Sequence, residues 1–510
     1  MPIEFPPPPT PVQGEVASLQ ADANQGAVQV VVAGYTLYVH APGVLDEADV
    51  TAATAGLDDL SNAVRSLANA AQRKGVLVPK TLYVRNGNDI YVSIYPGTIG
   101  NVSAPEELTP YFDDLGKGQP VTIGAFEKKR LLAGIHANRM GAGYVPVFTP
   151  AEGDAFDLTL KPTAEGVNPG SVRVNLSNVG NRFTGREFLD LDARRGTPDG
   201  DEFSVLARTA ASVIKIDDVE PGSDYHEYQL GWSRVTPIGL FGVSGRYLDY
   251  RQQIQSTAFN GELWTVDAGY TGILLSNTTS RVTVQGKVDY IYKRLELDSS
   301  GQVFQKEPYP SIEIGTAWST SFNVLSQSLL SVASLTARQG VLASEGKALT
   351  TKDLDYWLVR PGYSLRSQGS PFVGEFQFAL QYSDVSVPEQ QQWIVGGIGS
   401  LQAYVPGVAV GDRGLLARLV GEYAGASLYG VTLKPRAFVE FGAAEYSNPS
   451  AGLPSGQQTL TDVGGEIVLG FEPWFETALT AAVPVQHSGV TKQVRDDARA
   501  DFFFRLTAKF

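Results

Sequence analysis

The chain has 510 residues, no cysteine and a formal net charge of −14. That length admits two to four ordinary domains, or one large barrel with smaller attachments. The acidic balance opposes a general nucleic-acid binder, which needs a basic excess to displace counterions from phosphates, and the whole-protein field offers nothing to draw in acidic substrates.

The absence of thiols favours an envelope or secreted setting. No run of about 18 apolar residues supplies a transmembrane helix. A mean hydropathy of −0.08 is nevertheless compatible with a membrane barrel, whose lipid-facing and lumen-facing residues cancel in any average.

The opening "MPIEFPPPPTP" has neither the basic nor the apolar region of a signal peptide and reads as a mature start behind an added methionine. It belongs to a proline-rich extension over 1–26, whose "EVASLQADANQ" is only weakly helical. Next comes the strand-like "AVQVVVAGYTLYVH", then a helical stretch in which Leu60, Val64, Leu67 and Ala71 recur at helical spacing until Gly75 supplies a stop. "LVPKTLYVR" and "DIYVSIYPG" read as two further strands. A looser second copy begins near Val102, with "TIGAFEKKRLLAGIHANRM" as helix and "GYVPVFTP" and "FDLTLKPTAE" as strands. Two small α/β modules, over 27–100 and 101–166, are therefore expected, each with a helical pair on a short sheet.

From Pro169 onward the helical period gives way to two-residue alternation in segments of roughly ten residues, separated by Gly, Pro, Asn, Asp and Ser. In the last segment Phe502, Phe504, Leu506, Ala508 and Phe510 share one face, opposite Asp501, Phe503, Arg505, Thr507 and Lys509. Val282, Val284, Val288, Tyr290 and Tyr292 likewise oppose Arg281, Thr283, Gln285, Lys287 and Asp289. A soluble sandwich also alternates. Here the strands are many, their apolar faces end in aromatic residues, and charges fall where a soluble core would need apolar side chains. The reading is a transmembrane β-barrel of about 16 antiparallel strands over 167–510.

Two such modules before a barrel that ends in Phe510 resemble the TpsB transporters of two-partner secretion. The resemblance extends from about residue 27 to the end. It identifies the modules as polypeptide-transport-associated (POTRA) domains. "GSVRVNLSNVGNRFTGREFLDLDAR" is similar to the family's barrel entry, with Asn178, Gly180, Thr184 and Gly185 matching a tight hairpin in which Asn bonds its own turn. The resemblance further implies that the loop 386–414 folds back into the barrel. Its tip motif reads Leu401-Gln402-Ala403-Tyr404 here, in place of Val-Arg-Gly-Tyr, and its base keeps Gly411, Asp412, Arg413 and Gly414. The family's arginine pairs with the acid of a Phe-x-Asp-x-Gly motif, which here reads Phe438, Val439, Glu440, Phe441 and Gly442. Both partners have thus changed, and one amide-to-carboxylate bond in place of an ion pair implies weaker docking. Glu440 could also turn to Arg418 or Arg436, which parity places on the same face.

The resemblance implies an outer-membrane pore of a Gram-negative bacterium, monomeric, with its modules in the periplasm. It would bind a large TpsA exoprotein there and move it to the surface without ATP. The other partners implied are outer-membrane lipid and the barrel-assembly machinery, which would read Phe510 as an insertion signal. A barrel-assembly or autotransporter-assembly factor is the alternative. No catalytic, metal or cofactor site is expected. The only histidines, His40, His136, His226 and His487, lie in no Gly-x-Ser-x-Gly or His-Glu-x-x-His setting.

Overall fold

Residues 8–510 are described by a computed structural model, except 116–117, 154, 165, 182–183, 211–223, 255–256, 326, 342–352, 369–370, 424–425, 429, 450–452 and 472. Of the proline-rich extension, residues 1–7 thus lie outside the described residues. The run Ala27–His40 is a hairpin, not one strand: Val28–Val32 and Tyr35–His40 pair antiparallel. Ala33 and Gly34 both take positive φ between them, the two-residue turn whose twist matches a hairpin. Helices Glu47–Thr54 and Leu60–Arg73 follow, capped by the Asp46 and Asp59 side chains. Val64, Leu67 and Ala71 face the sheet completed by Pro79–Asn86 and Asp89–Pro96.

This first module starts earlier than Ala27. Val12–Gln13 pairs parallel with Pro79–Asn86, and helix Val16–Ala23 lays Leu19, 1% exposed, on the sheet. One apolar anchor and a strand edge outweigh the weak helical propensity of this segment.

The second module departs from the expected helical pair. Its sheet orders Thr98–Ser103, Ala155–Pro162 and Tyr144–Pro150, and its one α-helix among the described residues is Ile123–Arg139. The place of a partner helix is taken by a single 3₁₀ turn, Thr109–Tyr111. Pro105, Pro110, Gly118 and Pro120 break any longer helix there.

Among the described residues sixteen antiparallel strands close the barrel, from Gly170–Ser177 to Phe503–Lys509, which pair with each other at the seam. The twelfth strand, Arg413–Tyr423, continues as Ala426–Leu428. Parity divides each strand as expected. Trp264, Val288, Ile314, Leu419 and Leu479 stand exposed on the outside, while the inside carries charges paired across neighbouring strands. Arg208 bridges Asp190 and Glu227, Arg246 also meets Glu227, and Arg338 joins Asp289 to Glu313. An apolar exterior around a charged interior inverts the pattern of a soluble barrel and fits a bilayer as the surrounding solvent.

The second module is fastened to one rim of the barrel. Arg139 donates to the carbonyls of Gly200 (2.8 Å) and Ser233 (3.1 Å) and to the Ser233 hydroxyl (2.7 Å). His136 lies 2.7 Å from the Pro198 carbonyl, and the Tyr111 hydroxyl donates to that of Val235. Val235, at the end of its barrel strand, joins the module's own apolar core.

Candidate functional site

The segment between the eleventh strand, Phe372–Gln381, and the twelfth enters the barrel as a short hairpin, Trp393–Val395 with Ala409–Gly411. Its tip lands on the lumenal face of the thirteenth and fourteenth strands, Val431–Glu445 and Gln458–Phe471. There Arg418, Glu440 and Asp462 stand opposite one another in register on three neighbouring strands.

Gln402 meets Glu440 twice: its backbone N–H donates to Oε2 and its side-chain amide to Oε1, both at 2.9 Å. The next N–H, of Ala403, donates to Asp462 Oδ2 at 2.7 Å. Arg418 completes the cluster, with Nε 2.7 Å from Glu440 Oε1 and its guanidinium over the Phe438 ring. Arg436 turns away to Glu422 and Glu466. The expectation of one amide-to-carboxylate bond therefore understates the contact. Two backbone amides point at two wall carboxylates, a geometry that spacing along the chain does not reveal.

Apolar packing holds the rest of the tip. Leu401 and Tyr404, 0% and 1% exposed, pack with Val395, Phe438 and Leu460. Gly442 leaves room for this: a Cβ there would lie 2.2 Å from Leu401 Cδ1. On its other side the tip pairs with the segment that leads into the last strand. The Val405 N–H donates to the Ala498 carbonyl (2.8 Å) and that of Ala500 to the Ala403 carbonyl (3.0 Å). This extra strand-like contact, just after helix Lys492–Asp497, has no signal in the sequence.

At the loop base, Asp412 is fully buried and accepts from the N–H groups of Val387 and Ser447, both at 3.0 Å, tying the stem to the next loop. Arg413 donates to the Ser383 carbonyl and lies over the Tyr382 ring. Gly411 closes the hairpin opposite Trp393, and Gly414 pairs with Gln381 on one side and Ala444 on the other. The stem also reaches the far wall. Glu389 pairs with Lys293, which is 2% exposed, and the Gln391 carbonyl accepts from Gln381 and Arg360. Val387 is buried beside Tyr309, Tyr356 and Leu358. Sequence reasoning missed Asp462, Lys293 and Glu389; strand parity alone would have put the first two on the lumenal face.

Asn178 does not bond its own turn. Its amide donates to the Phe502 carbonyl (3.0 Å), and its Oδ1 accepts from the Phe504 N–H (2.6 Å) across the barrel seam. The turn is held by Asn181, whose Oδ1 accepts from Thr184 N, with Gly185 bridged to Asn181 and Gly180 bonded to Arg186. Asn178 precedes the turn, at the level where the last strand needs a partner. Phe510 closes the other end of the seam through two backbone bonds with Val172, and its ring is exposed on the outer face.

No family model and no curated protein matches the sequence. Solved structures do match in fold. CdiB from Escherichia coli is similar with a TM-score of 0.71 at 15% identity, over 97% of this chain and 96% of that one. CdiB from Acinetobacter baumannii gives 0.63 at 13% identity, over 100% and 91%. BamA from Haemophilus ducreyi lacking POTRA domains 1–3 gives 0.50 at 12% identity, over 88% and 93%. With two small α/β modules, a closed sixteen-stranded barrel and nearly the full length of both chains matched, this protein has the fold of CdiB.

Proposed function

We propose that the protein is a TpsB-type pore of the outer membrane that exports one large exoprotein. The observation that carries this reading is the combination, in one chain, of a lipid-sided barrel, a loop clasped to its inner wall, and two modules of which the second is anchored to one rim. The sequence resemblance and the CdiB fold, that of a TpsB transporter, support the same conclusion. The modules would lie in the periplasm and capture the unfolded TpsA partner, most simply by adding its strand to the open edge of Tyr144–Pro150, which ends its sheet. The sequence has no Gly-x-x-x-x-Gly-Lys-Ser/Thr loop, so the driving force is assigned to folding of the substrate outside the cell.

The test is co-expression with a large protein encoded beside this one and bearing an N-terminal secretion domain. Its appearance in the medium should depend on this chain, without change in the outer-membrane protein profile. The BamA likeness favours a second reading, a barrel-assembly factor. Depletion of other barrels from the membrane, with no secreted partner, would select it.

A further inference from the structure

Lumenal cations in this barrel are generally matched by carboxylates. Lys287 faces Asp267, Arg246 faces Glu227, Arg338 has both Asp289 and Glu313, and Arg436 has both Glu422 and Glu466. The seam is different. Arg173 and Lys509 stand directly opposite each other on the first and last strands, a like-charge pairing that costs stability in a sheet. Arg505 lies on the same face of the last strand. The carboxylate that serves this group is Glu476, and it is shared between two cations, 3.5 Å from Arg505 and 3.4 Å from Lys509. Arg173 has no ion pair among the described residues. The Arg505 and Lys509 side chains are 40% and 45% exposed, so their charges face open space.

That space is a cavity of about 620 Å³ between the seam strands and the loop, which contributes Gly396, Gly397, Ile398 and Pro406. The loop closes it with glycines, an isoleucine and a proline, bringing no carboxylate. The nearby Arg208 is occupied by Asp190 at 2.7 Å. A chain with a net charge of −14 thus gathers three underpaired cations at one place in its lumen, near the rim where the barrel strand carrying Phe510 ends. Stability does not explain this arrangement, because alternating signs are available on neighbouring strands.

We infer that Arg173, Arg505 and Lys509 form a docking site for carboxylate side chains of a polypeptide in transit, an acidic segment in extended conformation lying along the seam beneath the loop. The inference rests on the export reading. Guanidinium and ammonium groups donate to carboxylates without needing a fixed pocket, and half-exposed pairs are weak and exchange quickly, as passage of a chain requires. The overall negative field disfavours acidic chains elsewhere on the molecule, so the patch is a local exception that confines such a segment to the lumen.

The test is fluorescence anisotropy of a labelled oligoglutamate peptide with the purified full-length protein in detergent, comparing wild type with Arg173→Glu/Arg505→Glu/Lys509→Glu. Reversal should weaken binding by about tenfold or more and abolish most of its salt dependence. The lysine-for-arginine variant Arg173→Lys/Arg505→Lys should bind like wild type. Heat-modifiability of each variant reports whether the barrel is intact; should the triple variant fail it, Arg173→Gln/Lys509→Gln is read instead, with an intermediate loss expected. Equal binding by a folded charge variant would overturn the inference. So would displacement of the peptide by inorganic phosphate, but not by chloride of the same ionic strength, since that would make the site one for phosphate groups. Secretion of the neighbouring protein is scored separately: its absence with peptide binding intact would remove the export reading and leave the patch.

Discussion

Gln402 occupies the place of the arginine in the resembling family, and the positive charge it lacks comes from the wall instead, through Arg418. Glu440 consequently accepts two hydrogen bonds from the loop and meets one cation while wholly buried. Removing it strands an arginine, an amide and a backbone N–H together, so Glu440→Ala should cost about 3–5 kcal/mol of loop docking, as for one partner of a buried ion pair. The check is protease cleavage near Tyr404 in intact cells, with wild type resistant and the variant cut. Unchanged resistance would show that the packing of Leu401 and Tyr404 and the backbone bonds of Ala403 and Val405 hold the tip without Glu440. The reverse change, Gln402→Arg, should strengthen the clasp. Asp462 Oδ1 is buried without a donor among the described residues, and a guanidinium at 402 can supply one while pairing with Glu440. Disulfide formation between cysteines placed at 405 and 498, which face each other beside the tip and leave both carboxylates in place, should become faster or more complete in that background than in the parent; a slower reaction would mean that two arginines cannot share the two carboxylates.

At the scale of the strand, the seam shows how a barrel closes with short elements. The first and last strands share five residue pairs, from Arg505 opposite Ser177 to Lys509 opposite Arg173. At one end Asn178 lends its side-chain amide as if it were another peptide unit, and at the other the Phe510 backbone exchanges two bonds with Val172. Asn178→Ala removes one donor and one acceptor bond at a fully buried site, a loss of about 1–3 kcal/mol. It should lower the temperature at which the folded band converts in heat-modification gels; Asn178→Asp, which keeps the acceptor, should fall between. Deleting Phe510 removes a seam contact together with the insertion signal that the family resemblance implies, whereas Phe510→Ala keeps the backbone bonds. A defect confined to the deletion would place the role in the seam. Alternation made the lumenal and outer faces of these strands legible, because each strand's period states its own environment. Pairing across the seam was not legible, since Asn178 and Phe504 are 326 residues apart and only closure brings them together. The hairpin at Ala33–Gly34 was missed for a different reason: an uninterrupted β-prone run hid a two-residue turn.

On the scale of the whole molecule, two contacts set what the barrel can do. The loop runs from Lys293 on one wall to Glu440 and Asp462 on the other, and on the export reading release of at least one of these holds clears the path of a polypeptide. The second module, by contrast, is fixed, with Arg139 satisfied by backbone and hydroxyl oxygens of the barrel rim and 7% exposed. On the export reading, capture by the modules and entry into the pore are separate tasks, and their separation should be tested by dividing the chain. Removing residues 8–166 takes away both modules, including the helix Val16–Ala23 that packs on the first, and exposes rim backbone and the apolar patch of Val235, Leu240 and Ile273. The remaining strands retain their complete lumenal ion pairs and the loop clasp, so the barrel should still fold, show heat-modifiability and conduct ions. Secretion of the partner should cease. An Arg139→Ala variant with both modules present separates capture from coupling: it loses three hydrogen bonds to the rim but none of the open Tyr144–Pro150 edge. The partner should then still co-purify with the protein while its export slows. Export at the wild-type rate by Arg139→Ala would mean that the module need not be held at the rim, and export by the truncated barrel would mean that recognition lies in the lumen itself.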